Sequence, residues 1–104
     1  MLLPGFVGGR FYGEVMYRSD LERLMTLSTS DVDAACRGER LVSLTTRCFD
    51  EHLELAELAD EAAAAGDLDA HGYYSQEGAA WRATAQILRT MAADPMLRRT
   101  AGAA

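Results

Sequence analysis

Two histidines, His52 and His71, are the residues of this 104-residue chain best suited to acid–base or metal chemistry. His52 stands within a stripe of apolar residues at helical spacing, and the predicted reversal of the chain sets it near Trp81. Together with Tyr74 and nearby carboxylates, these two residues could hold a small ligand or a metal. The simpler interpretation is a neutral histidine packed in the core, because its neighbour Glu51 points from a different helix face. We favour the core histidine and keep His52, Tyr74 and Trp81 as an alternative ligand-binding set.

The sequence offers little support for catalysis or for a cofactor. A di-iron bundle needs Glu-x-x-His pairs, but Phe49 and Leu68 stand three residues before the two histidines. Cys36 and Cys48 form no Cys-x-x-Cys pair. The serines and threonines have no nucleophile elbow, and the N-terminal glycines match neither a phosphate-binding loop nor a dinucleotide fingerprint. We therefore predict that the protein has no catalytic residues, no metal site and no cofactor, and that it is not an enzyme.

The charge balance narrows the class of partner. Ten arginines stand against sixteen Asp and Glu residues, for a net charge of −6 and a pI near 4.7. Because these cations are dispersed among acids, the sequence disfavours binding to nucleic acid or to an anionic membrane. No run approaches the roughly 20 apolar residues that a membrane span needs.

Residue usage also bears on the compartment and the source. Cys36 and Cys48 are interpreted as reduced thiols used as small apolar residues, which predicts a cytoplasmic location. The chain uses arginine without lysine and contains no asparagine. That bias is typical of a GC-rich coding sequence, such as that of an actinobacterium or one of its phages.

The elements that must position these residues are helices. Apolar residues recur at spacings of three and four from Glu39 to Ala65 and again up to Ala93, and Gly66-Asp67 is a helix stop followed by a cap. Two such helices with so short a connection must pack as an antiparallel hairpin. The sequence therefore predicts an all-α fold, with a long hairpin over about 39–65 and 68–93. Two short helices are predicted before it, over about 20–28 and 31–37, the first from a Ser19–Glu22 capping box and the second ended by Gly38.

The N-terminal segment has a different composition. Residues 1–18 hold four of the eight aromatic residues and four of the nine glycines. We predict an extended arm with possible strand character over 1–18, a single helical domain over 19–95 and a flexible tail over 96–104.

The predicted function follows from this architecture. The apolar face of a two-helix hairpin is too wide to be buried by the hairpin itself. The two short helices can cover part of it, and we expect another polypeptide to cover the rest. We predict a non-enzymatic interaction or assembly module that self-associates or forms a small subunit of a larger complex. Aromatic residues concentrate binding energy at interfaces. The predicted partner-binding residues are the arm aromatics and two hairpin leucines: Phe6, Phe11, Tyr12, Tyr17, Leu55 and Leu58. The sequence is equally compatible with an arm that packs over its own bundle. The alternative is a small helical metal- or ligand-binding protein that uses His52, Trp81 and Tyr74.

Overall fold

The computed structural model describes residues 12–98, whose regular secondary structure is entirely helical, with no strand among them. A π-helical turn at Glu14–Arg18 continues directly into helix α1, Ser19–Leu24. Helix α2 spans Thr29–Cys36, α3 spans Leu41–Ala64 and α4 spans Leu68–Ala93. The two long helices pack as an antiparallel hairpin, with the short helices beside them. The predicted all-α fold, with a long hairpin and two short helices, is confirmed.

The hairpin reverses at Gly66, as the sequence predicts. Gly66 adopts a left-handed φ of 76°, which glycine tolerates without a steric penalty. The Gly66 and Asp67 N–H groups donate to the Ala63 and Ala62 carbonyls, so two of the last carbonyls of α3 are satisfied. Asp67 then caps α4, because its side chain accepts a hydrogen bond of 3.1 Å from the Ala70 N–H. Three residues therefore suffice to connect α3 and α4.

The hydrophobic core lies at the end of the hairpin away from this turn, where α1 and α2 cover the long helices. We call this the open end. Its fully buried side chains come from every helix and include Leu21, Val32, Leu44, Cys48, Leu88, Met91 and Leu97. Thr26 and Thr84 join α4 to the segment after α1 through a 2.6 Å hydrogen bond between their hydroxyls. Four helices thus enclose a core at the open end alone.

Both cysteines belong to this core. Cys36 and Cys48 are free and fully buried, in agreement with their prediction as small apolar residues. Burial raises the pKa of each thiol to about 11, because the thiolate would lose its hydration.

The predicted extended arm is wrong for the residues that the structure describes. Residues 12–18 are helical and continue into α1, so the chain does not start its helix at a Ser19 cap. This segment packs closely against α2: a Cβ built on Gly13 would stand 1.9 Å from the Cys36 carbonyl oxygen. Tertiary packing overrides the weak strand pattern of the aromatic residues. Phe6 and Phe11, the other two predicted arm anchors, lie outside the described residues.

The packed chain also extends past residue 95, where the helical domain was predicted to end. Residues 95–98 form a helical turn, and Leu97 is completely buried. Its place in the core corrects the predicted start of the tail at residue 96. None of the helices within residues 12–98 combines the length and the apolarity needed to cross a lipid bilayer.

Candidate functional site

The half of the hairpin nearest the turn has no second layer of described helices over it. We call this region, residues 49–81, the hairpin tip. Its buried residues are all small, namely Ala59, Ala62 and Gly78. Its large apolar side chains stay in contact with solvent: Leu53, Leu68 and Tyr73 are 60%, 74% and 61% exposed. The tip therefore leaves several large apolar side chains in contact with solvent.

One face of the tip contains an open groove of about 260 Å³ between α3 and α4. Small residues form its apolar surface: Ala56, Ala59, Gly78 and Ala79. Its polar lining residues are His52, Asp60, His71, Tyr74, Ser75 and Arg82. We call this the tip groove. Its mixed lining suits a peptide or a small amphipathic molecule better than a purely apolar ligand.

The two histidines connect the long helices in a reciprocal way. His52 on α3 bonds through Nδ1 to the Gly78 carbonyl of α4 at 3.0 Å. His71 on α4 bonds through Nδ1 to the Ala59 carbonyl of α3 at 2.9 Å. Because a carbonyl only accepts, Nδ1 carries the hydrogen in both rings, and Nε2 is the remaining polar atom of each.

These histidines are too far apart to share a metal ion. His52 on α3 is bonded to Gly78, and His71 is bonded to Ala59, which stands seven positions after His52 on α3. Seven residues correspond to about 10 Å along a helix. In keeping with this spacing, residues 12–98 contain no group of three His, Cys, Asp or Glu side chains placed to hold a metal.

The structure brings together only two of the three residues that the sequence proposed as a ligand-binding set. His52 and Tyr74 line the same groove, and His71 joins them although the sequence did not assign it there. Trp81 does not line the groove. Instead, the Arg47 guanidinium lies over the Trp81 ring, with Cζ 5.8 Å from the ring centre. Of the predicted partner-binding residues on the hairpin, Leu55 and Leu58 are half-buried and lie within the tip.

The two described arm aromatics, Tyr12 and Tyr17, contact the chain's own hairpin. Both phenols donate hydrogen bonds to Asp94 Oδ2, the Tyr12 bond being 2.6 Å long. These two bonds lower the pKa of the Asp94 carboxyl group. Burial, followed by the bond to Asp94, raises the pKa of Tyr17. The pair holds the N-terminal helical segment against the end of α4.

The tip also differs from the rest of the chain in charge. Residues 49–81 contain no arginine or lysine and nine acidic residues: Asp50, Glu51, Glu54, Glu57, Asp60, Glu61, Asp67, Asp69 and Glu77. Eight of the nine are exposed and Glu51 is half-buried, and none forms an ion pair with a described arginine. The prediction of cations dispersed among acids is therefore wrong for this half of the hairpin. A residue count by segment, rather than over the whole chain, would have revealed it.

A family model described as the TY-Chap C-terminal domain matches residues 14–94. The chain belongs to this family. The TY-Chap C-terminal domain match begins in the π-helical turn and ends at Asp94, so it includes the N-terminal helical segment that the sequence placed outside the domain. No curated protein and no solved structure matches the chain significantly.

Proposed function

We propose that this TY-Chap C-terminal domain is a non-enzymatic, chaperone-like module that binds protein partners through the hairpin tip. Its family supports a chaperone-like protein-interaction role. The observation that carries the docking site is that no helix of the described residues packs over the tip. All of the largest fully buried side chains of the described chain lie outside residues 49–81. A helix pair with a broad apolar face is stable when another layer packs on it, and exposed apolar patches mark interaction sites.

Leu55 and Leu58 are the proposed anchors on this surface. Both are half-buried on α3, so each retains apolar area that a partner would remove from water. Leu53 on α3 and Leu68 at the start of α4 are further exposed apolar side chains of the tip. Burial of such side chains contributes about 1.5–3 kcal/mol each when it is complete.

Site-specific photo-crosslinking in the native host tests the proposed surface. A benzophenone amino acid placed at Leu53 or Leu68 should give specific adducts with partner proteins. Val15 and Val42 provide matched controls, because each is 76% exposed but lies outside the tip. Adducts from the control positions alone would overturn the tip as the docking surface.

The chaperone-like role requires more than contact, and co-expression with a crosslinked partner tests it. The wild-type domain should raise the soluble fraction of that partner. A Leu55→Asp/Leu58→Asp variant, confirmed as folded by circular dichroism, should not. Equal solubility with both forms would show that the domain binds without assisting its partner.

Self-association and membership of a larger complex stay predictions. Residues 49–81 carry nine carboxylates and no arginine or lysine, so a tip-to-tip contact between two copies would bring like charges together and is unfavourable. We therefore expect any homo-oligomer to form through the open end, as a mass above 11.3 kDa in light scattering that persists in the Leu55→Asp/Leu58→Asp variant.

Small-ligand binding is the second candidate function. The meeting of His52 and Tyr74 in one groove favours it. Elemental analysis and native mass spectrometry of the purified protein test this candidate. A stoichiometric metal or organic ligand that is lost in His52→Leu would favour ligand binding over protein docking.

A further inference from the structure

We propose that the occupant of the tip groove is a basic, amphipathic segment of a partner protein. This inference rests on the proposed function of the hairpin tip and identifies the chemistry of its partner. It depends on three features: a groove with small apolar residues in its lining, exposed apolar side chains elsewhere on the tip, and a tip segment whose charged residues are all acidic.

The charge of the tip indicates which charge a partner segment should carry. The nine acidic residues of 49–81 face no arginine or lysine within that segment, whereas all ten arginines and the other seven acidic residues lie elsewhere. The tip is thus strongly negative while the remainder of the chain is slightly positive. A concentrated charge of one sign attracts an oppositely charged segment and repels one of like charge.

The acidic residues of α3 are placed to meet such a segment. Glu54, Glu57 and Asp60 follow spacings of three along the exposed side of the helix, and Asp60 lines the groove itself. Each step of three residues turns the row by about 60° around the helix, so it winds from Glu54 on the outer side of α3 through Glu57 to Asp60 at the groove. Arginine or lysine side chains of the partner would reach these carboxylates while its apolar side chains enter the groove.

The groove accepts apolar side chains because its floor is made of small residues. Ala56, Ala59, Gly78 and Ala79 leave the open volume of about 260 Å³ between the long helices. A 14-residue helix is about 21 Å long, which exceeds the roughly 12 Å rise from His52 to Asp60. A short amphipathic helix would therefore cover the groove and continue over the acidic surface.

Arg82 allows the charge of the groove occupant to be tested. It lines the groove at the end nearest the open end of the hairpin and is the cation of the lining. A basic occupant is repelled by Arg82, whereas an acidic occupant would be attracted to it. Neutralisation of Arg82 should therefore strengthen the binding of a basic segment.

Fluorescence anisotropy with three labelled 14-residue peptides tests the inference. The peptides share a leucine and alanine face, and their opposite face carries lysine, glutamine or glutamate. We expect the lysine peptide to bind at least about tenfold more tightly than the glutamine peptide at 50 mM salt, and its affinity to fall at 300 mM. The glutamate peptide should not bind.

Two variants that each remove three negative charges show which acidic residues bind the lysine peptide. Glu54→Gln/Glu57→Gln/Asp60→Asn should weaken the lysine peptide by about fivefold, the amount expected for three weak exposed ion pairs. The control, Asp20→Asn/Glu22→Gln/Glu39→Gln, removes three exposed acids outside the tip and should leave the affinity unchanged. Arg82→Gln should tighten binding.

The groove itself is tested by filling it. Ala79 is exposed and lines the groove, so Ala79→Trp should block the lysine peptide without disturbing the core. Ala64→Trp adds the same side chain at an exposed position outside the groove and should bind normally.

The possible outcomes separate this inference from the proposed function. Equal binding of the lysine and glutamine peptides would overturn the basic partner, while apolar docking at the tip would stand. Equal weakening by both charge triples, or tighter binding of the glutamate peptide, would also overturn it. If no peptide binds, the inference fails, and the crosslinking at Leu53 and Leu68 still decides the proposed function.

Discussion

Gly13 lies where the N-terminal helical segment comes closest to α2, and its lack of a side chain permits that contact. A Cβ on Gly13 would overlap the Cys36 carbonyl oxygen at 1.9 Å, and backbone atoms cannot move aside without shifting a helix. We expect Gly13→Ala to lower the free energy of unfolding by about 1–3 kcal/mol. Urea unfolding followed by circular dichroism measures the change.

Gly72 is the matched control for this substitution. It also lies within a helix, but a Cβ at Gly72 would meet nothing within 4 Å. Gly72→Ala should raise the free energy of unfolding by about 0.5–1 kcal/mol, because alanine has the higher helix propensity. If both variants changed stability in the same direction, the close contact at Gly13 would be contradicted.

Asp31 is a buried carboxylate that depends on two arginines. Its two oxygens accept hydrogen bonds from Arg40 at 3.1 Å and from Arg47 at 3.0 Å. Burial alone would raise the pKa of Asp31, but the bonds from Arg47 and Arg40 outweigh it and the pKa is lowered from 3.8. A carboxyl group with a depressed pKa in the folded state stabilises the fold above about pH 4, and this stabilisation is lost as the pH falls through the folded-state pKa.

The pH dependence of stability tests the role of Asp31. The wild-type domain should lose stability as the pH is lowered from 5 to 2. Asp31→Asn should destabilise the fold by about 1–2 kcal/mol at pH 7 and show a smaller loss on acidification. Asp94 contributes to the same loss of stability at low pH, because its pKa is lowered by the bonds from Tyr12 and Tyr17. If Asp31→Asn lost as much stability between pH 5 and pH 2 as the wild type, the assignment to Asp31 would be contradicted.

At the scale of residues, the sequence identifies local interactions and misses long-range ones. The Asp67 cap and the left-handed glycines, Gly38 and Gly66, were predictable because each depends on a few neighbouring residues. The pairing of Tyr17 with Asp94 spans 77 residues and leaves no local pattern. The sequence placed His52 near Trp81, but its hydrogen-bond acceptor, the carbonyl of Gly78 three residues before Trp81, depends on the exact register between α3 and α4.

The long helices are the elements that the sequence describes best. Their apolar spacing and the absence of glycine and proline from α3 predicted the hairpin to within two residues at each end. The N-terminal segment was mispredicted because its aromatic alternation suits a strand, while its actual conformation depends on α2 and Asp94. The tip groove could not be derived from the sequence, since its lining depends on the register between α3 and α4.

The two histidine bonds across the hairpin lead to a prediction at this scale. His52→Leu and His71→Leu each remove one hydrogen bond between α3 and α4. We expect each to lower the free energy of unfolding by about 1 kcal/mol. Because the two sites are about 10 Å apart, the double variant should show an additive loss.

Hydrogen exchange gives a second readout of these variants. The tip lacks the covering helices of the open end, so its amides should exchange first in the wild type. Loss of either histidine should speed exchange within residues 49–81 more than within the core around Leu88. A uniform increase over the whole chain would contradict a local role for the histidine bonds.

For the whole molecule, the separation of charge makes stability dependent on salt. The acidic residues of the tip repel one another, and salt screens this repulsion over about 10 Å at 0.1 M. We expect the Tm to rise by a few degrees between 20 and 300 mM salt. The rise should be smaller in Glu54→Gln/Glu57→Gln/Asp60→Asn than in the Asp20→Asn/Glu22→Gln/Glu39→Gln control, and equal rises would contradict repulsion within the tip.

The contact between the two tyrosines and Asp94 has a geometric consequence. It places both ends of the family-matched region side by side, at the opposite extreme of the molecule from Gly66. Helix α4 alone spans about 39 Å between these extremes. A fluorophore attached at either end would therefore lie far from the Gly66 turn. The distance between it and a second fluorophore at the turn would report whether the long helices stay straight when a partner binds.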